Sequence, residues 1–380
     1  MSHTDRLARY ILQPIRWQNQ KGILMKIDKR ITELRQILKE KNIDAILISR
    51  PENRYYLSGF SGSAGYLFIT YNSLVLATDF RYVEQVKGQA PAYTLFRISG
   101  STDKWFPEII DGLKIKKLGF ESGDITFERY QNFLSAIDKA GIKLELTPLT
   151  DAVETIRMVK DTEEMACIEH AAEISDKSFK HIEEIIHAGM TELDVAWELE
   201  KSLREAGSQS IPFEIIVGSG PNAALPHAQP SGRVIKEGEP IVIDFGAKVE
   251  GYCSDVTRTL CIGKPDNTFN NIYRIVLEAQ LNAITKIVDG TTGAEADKFA
   301  RSIIEEAGYG EAFGHSLGHG IGLAAHEKPN LHRISGDILT ENMAFTIEPG
   351  IYLAGWGGVR IEDTVMVKNG KISVISKSTK

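Results

Sequence analysis

Two kinds of hydrophobic spacing alternate along the first 150 residues. Across residues 27–41 apolar side chains recur at the spacing of an amphipathic helix, and residues 44–49 form the short apolar run of a buried strand. The alternation continues to residue 140. It predicts strands at 65–70, 73–78, 93–98 and 117–121, and helices near 81–87, 104–112 and 127–140. The pattern therefore predicts a small N-terminal α/β domain over residues 26–150.

The pattern after residue 155 is different. Long helical segments come first, with Gly189 and the N-cap residue Thr191 marking the turn between them. The predicted elements are helices 162–187 and 192–206, strand 213–217, a hairpin of 240–247 and 249–261 around a turn at 248–251, helices 269–288 and 294–307, a glycine-rich loop at 308–322, and strands 343–348, 358–368 and 371–376. Helices followed by strands, twice over, predict an α+β domain of two similar halves over residues 155–380.

Composition narrows the class of protein. A chain of 380 residues suits two domains, and 42% hydrophobic and 25% charged residues are typical of globular proteins. The net charge of -7 is spread along the chain, whereas a nucleic-acid groove needs a concentrated positive face. The apolar runs are too short to cross a membrane. The three cysteines lack CxxC spacing, so we expect a reducing, cytoplasmic compartment.

The first 25 residues differ from the rest. They contain basic side chains but no continuous apolar core of the kind that a secretory signal needs. Met25 directly precedes the first amphipathic segment. We expect residues 1–25 to be a poorly ordered extension.

Two aspartates interrupt the apolar strands of the predicted hairpin. Asp244 ends one strand, and Asp255 follows eleven residues later. A single aspartate at such a place is more often a turn residue or a helix cap. Two buried carboxylates without a counter-charge are costly, and a divalent cation is the usual remedy.

Histidines are concentrated in the glycine-rich segment. His315, His319 and His326 lie within twelve residues, among glycines that let the backbone and an ion approach closely. A phosphate-binding loop is the alternative, but the segment lacks the GxxxxGK[ST] pattern. Clustered histidines favour a metal site or acid–base chemistry.

Two glutamates lie in the last predicted strands. Glu348 precedes a proline that must end its strand, and Glu362 lies in the alternating run of residues 359–365. That alternation places Arg360 and Glu362 on the same strand face. An ion pair with Arg360 would satisfy Glu362 without a metal, so both interpretations stay open at this point.

Together the candidates supply four carboxylates and one imidazole. The set comprises Asp244, Asp255, His319, Glu348 and Glu362. Such ligands suit manganese, cobalt or zinc. Bridging carboxylates can hold two ions about 3.5–4 Å apart with an activated water between them, which is hydrolase chemistry.

The surroundings of these five residues resemble a known family. The segments IDFGA, CSDVTRT, GHGIG, TIEPG and RIEDT are similar to those of the metallopeptidase family that contains methionine aminopeptidase, aminopeptidase P and prolidase. All five ligand positions of that family carry the expected residue type. The resemblance implies a pita-bread catalytic domain from about residue 155.

The N-terminal domain, with NRYYLSGF at residues 53–60, resembles that of the proline-specific branch. Asn342 stands where the family usually has glycine, which puts a local turn in doubt.

The resemblance also implies roles for single residues. Glu348 would ligate metal and relay a proton to the leaving nitrogen, and His326 would stabilise the tetrahedral intermediate. His227 matches a histidine that contacts substrate, so the catalytic set is Glu348, His326 and His227. His315 and Arg360 match substrate-binding positions of the proline-specific branch. The resemblance implies two divalent ions, with manganese favoured and cobalt or zinc as alternatives, and a homodimer.

The predicted function is hydrolysis of the bond between an N-terminal residue and a following proline, as in an Xaa-Pro aminopeptidase. The expected partners are peptides with proline in second position, with no nucleic acid and no membrane. An Xaa-Pro dipeptidase, or prolidase, is the alternative. It needs a cation for the product carboxylate, for which Arg333 and Arg360 are candidates.

Two other classes stay open: a non-catalytic peptide-binding or chaperone-like protein with the same fold, and a creatinase-like amidinohydrolase that needs no metal.

Overall fold

The computed structural model describes residues 20–380, with side chains from residue 26 onward. The chain divides into two compact units, the first ending at Ile156 and the second beginning at Arg157. Most of the expected extension, residues 1–19, lies outside the described residues. Within the described part of the chain, no helix is long and apolar enough to cross a membrane.

The first unit is built on one six-stranded mixed sheet. Its strands are β1 Ala45–Ile48, β2 Tyr66–Thr70, β3 Leu74–Thr78, β4 Thr94–Arg97, β5 Lys117–Glu121 and β6 Glu145–Leu149, in the order β4-β3-β2-β1-β5-β6. β2 is antiparallel to both of its neighbours, and the other pairs are parallel. The helices are α1 Gln20–Glu40, α2 Pro51–Ser58, α3 Val83–Gln89, α4 Thr102–Leu113 and α5 Phe127–Ala140, and the short α6 Glu154–Arg157 spans the boundary between the units. The predicted α/β class of this unit is confirmed.

The second unit repeats one plan twice: two helices, then a small sheet. The helices are α7 Thr162–Ile185, α8 Glu192–Glu205, α9 Asn267–Lys286 and α10 Gly293–Glu306. Each begins at a residue whose side chain accepts a hydrogen bond from the first turn: Asp161, Thr191, Asp266 and Thr292. These caps explain why the sequence predicted the helix starts closely.

The strands of the second unit form two main sheets and two short ribbons. They are β7 Ile216–Ser219, β8 Pro240–Phe245, β9 Lys248–Val249, β10 Tyr252–Cys253, β11 Val256–Cys261, β12 Gly318–Gly320, β13 Glu327–Leu331, β14 Ala344–Ile347, β15 Gly350–Leu353, β16 Gly357–Arg360, β17 Asp363–Lys368 and β18 Lys371–Val374. The main sheets have the orders β11-β8-β7 and β13-β12-β14-β17-β18, and the ribbons are β9/β10 and β15/β16. This confirms the predicted α+β class.

The predicted loop at residues 308–322 is wrong in part, because it contains strand β12. A Cβ atom at Gly318 would collide with the main-chain oxygen of Thr346, and one at Gly320 with that of Lys328. The glycines therefore permit close strand packing rather than a mobile loop. Strand β12 carries His319 between β13 and β14.

The single strand predicted at 358–368 is also wrong, because it is two strands. β16 pairs with β15, and β17 pairs with β14, so the chain changes partner at Ile361 and Glu362. Residues 357–367 are all buried. The alternation of polar and apolar residues was therefore no guide to which side chains share a face.

Candidate active site

Two of the five predicted ligands come from the first sheet of the second unit. β8 and β11 are antiparallel, with Asp244 opposite Thr257, and Asp255 lies directly before β11. Glu362, which lies between β16 and β17, contacts this sheet at Thr257. Its backbone N–H donates to the Thr257 carbonyl at 3.1 Å, and Thr257 Oγ1 donates to Glu362 Oε2 at 2.5 Å. Thr257 thus ties the two halves of the unit together.

The other two ligands are fixed to each other through one threonine. His319 lies on β12, and Glu348 follows β14. Thr346 Oγ1 accepts from the His319 backbone N–H at 3.1 Å and donates to Glu348 Oε1 at 3.2 Å. The Glu348 backbone N–H donates to the Leu317 carbonyl at 2.8 Å. His319 is therefore positioned by strand β12, and Glu348 is positioned by its hydrogen bonds to Thr346 and Leu317.

All five residues line one cavity of about 420 Å³. His319 Nε2 lies 3.3 Å from Glu348 Oε1 and 3.7 Å from Asp255 Oδ2. Asp255, His319 and Glu362 each offer one ligand atom, and these atoms lie within 4.8 Å of one another. The structure brings the predicted ligand set together.

Burial of so much negative charge changes the acid–base properties of the cluster. Burial raises the pKa of Asp255 well above its usual range, and the neighbouring carboxylates of Glu362, Asp244 and Glu348 add to the increase. Burial likewise raises the pKa of Glu362, and it raises the pKa of Glu348 to about 8. The cluster therefore favours binding positive charge, either protons or cations.

The donor set fits divalent cations. Nδ1 of His319 lies 3.1 Å from the Gly320 carbonyl, so it carries the proton and Nε2 presents its lone pair to the carboxylates. Burial, followed by the nearby His326, lowers the pKa of His319 to about 3, so the ring is neutral as a metal ligand must be. Oδ1 of Asp244 is buried without a hydrogen-bond partner among the described residues. A cation would satisfy all of these groups.

Arg360 is the buried cation of the site. It donates from Nη2 to Asp244 Oδ2 at 2.7 Å, and from Nε to Thr257 Oγ1 at 3.0 Å. From Nη1 it donates to the Pro226 carbonyl and to the Tyr352 hydroxyl. The sequence left open an ion pair between Arg360 and Glu362, but the carboxylate that pairs with Arg360 is Asp244.

His315 has both ring nitrogens occupied. Nδ1 donates to the Ser316 carbonyl at 2.8 Å, and Nε2 lies 2.9 Å from the Tyr352 hydroxyl. Burial raises the pKa of Tyr352 to about 12, and burial followed by Arg360 lowers the pKa of His315 to about 4. Tyr352 therefore stays protonated, and its hydroxyl donates a hydrogen bond to Nε2 of His315. Sequence reasoning missed Tyr352, because a tyrosine in an apolar strand carries no signal of its own.

Of the remaining predicted residues, two line the cavity and one does not. His227 and His326 are exposed and line its wall. The His326 ring centroid is 4.0 Å from that of His319, and partial desolvation is the main cause that lowers the pKa of His326. Arg333 is 61% exposed, pairs with Glu305 at 3.6 Å, and is not among the residues that line this cavity.

A two-part α+β unit around buried carboxylates and one imidazole is the architecture of a metal-dependent hydrolase. Comparison with known proteins agrees. Residues 166–369 match the model of metallopeptidase family M24, and residues 30–159 match the Creatinase/Prolidase N-terminal domain. The chain belongs to metallopeptidase family M24. The family and proline-specific branch expected from the motifs are confirmed.

Individual relatives cover almost the whole chain. The chain is 37% identical over 352 residues to the Xaa-Pro dipeptidase of Pyrococcus furiosus, an alignment that covers 92% of this chain and 98% of that one. Its structure is similar to that of an Xaa-Pro dipeptidase from Bacillus anthracis, with 43% identity, a TM-score of 0.89 and coverage of 93% and 98%. It is also similar to the X-Pro aminopeptidase from Thermotoga maritima, with 38% identity, a TM-score of 0.84 and coverage of 92% and 98%.

Proposed function

We propose that the protein hydrolyses the peptide bond between an N-terminal residue and a following proline, as an Xaa-Pro aminopeptidase. The observation that carries this proposal is the convergence of four carboxylates and one imidazole on one cavity in a chain of family M24. The proline preference is supported by relatives that are named for Xaa-Pro cleavage and cover more than nine-tenths of the chain.

The proposed ligands for two divalent ions are Asp244, Asp255, His319, Glu348 and Glu362. Bound ions would lower the pKa of a water molecule and polarise the scissile carbonyl. We favour manganese, with cobalt or zinc as alternatives, because mixed carboxylate and imidazole donors suit all three ions.

Glu348 is the proposed proton carrier. Its carboxylate lines the cavity, with Oε1 3.3 Å from Nε2 of His319, so it lies beside the proposed metal site from which the water would attack. It takes a proton from the attacking water and delivers it to the leaving nitrogen. His326 is neutral and exposed to the cavity, so its ring N–H can donate to the oxygen that becomes negative. His227 lies on the same wall and is proposed to contact the substrate.

His315 and Arg360 act on the substrate indirectly in this proposal. Their polar atoms are already used within the protein, and both contact the Tyr352 hydroxyl. We therefore assign them to shaping the cavity wall that accepts the proline ring. A tertiary amide before proline has no N–H to satisfy, so a wall of fixed shape whose polar atoms are already paired can select for it.

The geometry favours peptides longer than two residues. Among the described residues, Arg360 is the one lysine or arginine that lines the cavity, and it makes four hydrogen bonds within the protein. No cation in this lining is available for the carboxylate of an Xaa-Pro dipeptide. The dipeptidase remains the second candidate, because two of the three relatives described above are named Xaa-Pro dipeptidases.

A substrate panel tests the proposal. The protein, reconstituted with Mn²⁺, is assayed with Ala-Pro-Ala, Ala-Pro and, as the control, Ala-Ala-Ala. We expect the highest kcat/KM for Ala-Pro-Ala and very little cleavage of Ala-Ala-Ala. A preference for Ala-Pro would favour the dipeptidase, and equal cleavage of Ala-Ala-Ala would contradict the proline preference. Absence of all turnover would favour a non-catalytic binding protein.

The homodimer and the cytoplasmic location are also part of the proposal. Light scattering on the purified protein tests the dimer, and fractionation of cells tests the location. A creatinase-like amidinohydrolase is disfavoured by the match to a metallopeptidase family and by the five candidate ligands that line one cavity.

A further inference from the structure

Arg258 is a fully buried arginine beside the cluster; it lies within the segment CSDVTRT but was given no role from the sequence. It lies on β11 next to Thr257, with its side chain 1% exposed. Nη1 donates to the Glu362 carbonyl at 2.5 Å and to the Thr257 carbonyl at 2.9 Å. Nη2 donates to Asp363 Oδ1 at 2.7 Å. The guanidinium therefore holds the backbone on both sides of the contact between Thr257 and Glu362.

The other acceptors of Arg258 come from residues 376–380, which we name the strap. Nε donates to the carbonyls of Ser378 and Thr379, at 3.2 and 2.9 Å, and Nη2 donates to the Ser378 carbonyl at 2.9 Å. The strap thus supplies three of the six hydrogen bonds that Arg258 makes. In addition, Lys380 Nζ lies 2.5 Å from Asp363 Oδ2.

The strap is itself fixed to helix α7. Asp176 accepts hydrogen bonds from the backbone N–H groups of Lys377 and Ser378 and from the Ser378 hydroxyl, at 2.8, 2.8 and 2.5 Å. Thr379 Oγ1 donates to Glu183 Oε1 at 2.6 Å. These contacts fix the direction in which the strap carbonyls point.

We infer that Arg258 and the strap are positioning groups for the Glu362 carboxylate. The inference rests on the proposed role of Glu362 as a metal ligand. The Glu362 carboxylate accepts from Thr257 Oγ1, and Arg258 fixes the backbone of both residues. Without the strap, a buried guanidinium keeps only three acceptors, and it must shift or admit water to satisfy the rest. Such a shift moves Thr257 and Glu362 with it.

Groups that orient metal ligands typically change metal affinity by about 10- to 100-fold when they are altered. A variant that ends at Ser376 should therefore bind Mn²⁺ about tenfold more weakly. Its kcat should fall at limiting Mn²⁺ and recover at excess Mn²⁺, with KM for Ala-Pro-Ala unchanged. This recovery distinguishes a positioning role from loss of folded protein.

A matched pair of lysines provides the finer test. Lys380→Met removes the cation beside Asp363, whereas Lys377→Met removes the same charge from an exposed side chain whose residue binds Asp176 through its backbone. We expect weaker Mn²⁺ binding, measured by calorimetry, for Lys380→Met alone, and recovery in Lys380→Arg.

The outcomes are distinct. If the wild-type protein binds Mn²⁺ and cleaves Ala-Pro-Ala but the strap variants have wild-type Mn²⁺ affinity, the inference is overturned even if their melting temperature falls. The same holds if Lys377→Met and Lys380→Met weaken binding equally. If the wild-type protein itself binds no Mn²⁺, the proposed function fails, and the inference fails with it.

Discussion

The guanidinium of Arg360 lies 2.7 Å from Oδ2 of Asp244, and both side chains are largely buried, at 3% and 14% exposure. Arg360 also contacts Thr257, whose hydroxyl donates to Glu362. One arginine is therefore linked to two of the four carboxylates. Its position explains how a cluster with so much negative charge forms before any cation is bound.

Replacing Arg360 should impair the site. In Arg360→Gln, Asp244 loses its cationic partner and the Tyr352 hydroxyl loses a donor, so we expect kcat/KM to fall by about 10- to 100-fold. Arg333→Gln is the control, because Arg333 is exposed and lies off the cavity. Steady-state kinetics on both purified variants measure the effect. Equal activity of the two variants would contradict the account.

Replacing Glu348 should remove turnover while preserving the shape of the site. Glu348→Gln keeps the volume of the side chain but cannot carry the proton, so we expect kcat to fall by about 10²- to 10⁴-fold. Glu305→Gln, at an exposed ion pair, is the control. Circular dichroism verifies that both variants fold. Near-normal turnover by Glu348→Gln would refute the assignment of the proton carrier.

Metal removal should make stability depend on pH. The folded-state pKa of Glu348 is raised from 4.5 to about 8, so the metal-free fold holds that proton more tightly than the unfolded chain does. The contribution of Glu348 to stability is therefore fully present below the unfolded value and is lost as pH rises towards about 8. Added Mn²⁺ should raise the melting temperature most at the upper end of this range, because the ion replaces the protons.

Calorimetric melting curves, recorded with EDTA and with Mn²⁺, measure this effect. The control is Glu348→Gln, in which the part of the slope that comes from Glu348 disappears. A metal-free protein whose melting temperature rises steadily between pH values of 4.5 and about 8 would be inconsistent with the raised pKa.

A second buried cluster lies directly after His326. Glu327 contacts Arg157, and its Oε1 lies 2.9 Å from Lys160 Nζ. Burial opposes ionisation of Glu327, but Lys160 and Arg157 outweigh it, so the pKa of Glu327 is lowered. Glu327→Gln removes the charge of the buried carboxylate that both cations contact, and we expect a loss of about 3–5 kcal/mol in the free energy of unfolding.

Urea denaturation measures this loss, with Glu305→Gln as the exposed control, for which about 0–1 kcal/mol is expected. Because the pKa of Glu327 is lowered, its contribution is present above the ordinary value of 4.5 and is lost as pH falls. The difference between wild type and Glu327→Gln should therefore shrink in acid. A difference that is small at neutral pH or grows in acid would count against the ion-pair explanation.

Much of the fold was readable because its signals are local. The capped helices of the second unit and the apolar hairpin strands β8 and β11 follow from spacing and end residues that act within a few positions. The ligand candidates were readable for a related reason, since a carboxylate within an apolar strand is costly unless a cation or hydrogen-bond donors compensate its charge.

What the sequence did not reveal depends on distant contacts. Strand β12 was hidden because its glycines serve close packing against Thr346 and Lys328. The role of Arg258 was hidden because five of its six hydrogen bonds run to residues more than 100 positions away. Helix α2 was missed because its polar residues are buried by tertiary contacts: Asn53, for example, donates to Glu121 and Glu154.

The one departure from the family pattern has a simple structural explanation. Asn342 has a φ of 67°, in the left-handed region where glycine is normal and asparagine is the most tolerated alternative. Its backbone N–H donates to the Val367 carbonyl at 2.9 Å, so the turn is formed. The substitution leaves the five candidate ligands untouched.

The central claim is that the carboxylate and histidine cluster holds divalent ions that hydrolyse an Xaa-Pro bond. The most direct measurement strips the purified protein of metal, titrates Mn²⁺ back, and follows both bound metal and cleavage of Ala-Pro-Ala. We expect no cleavage without metal, and recovery that saturates at about two ions per chain. Full cleavage by the metal-free protein, or no cleavage with two ions bound, would contradict the claim.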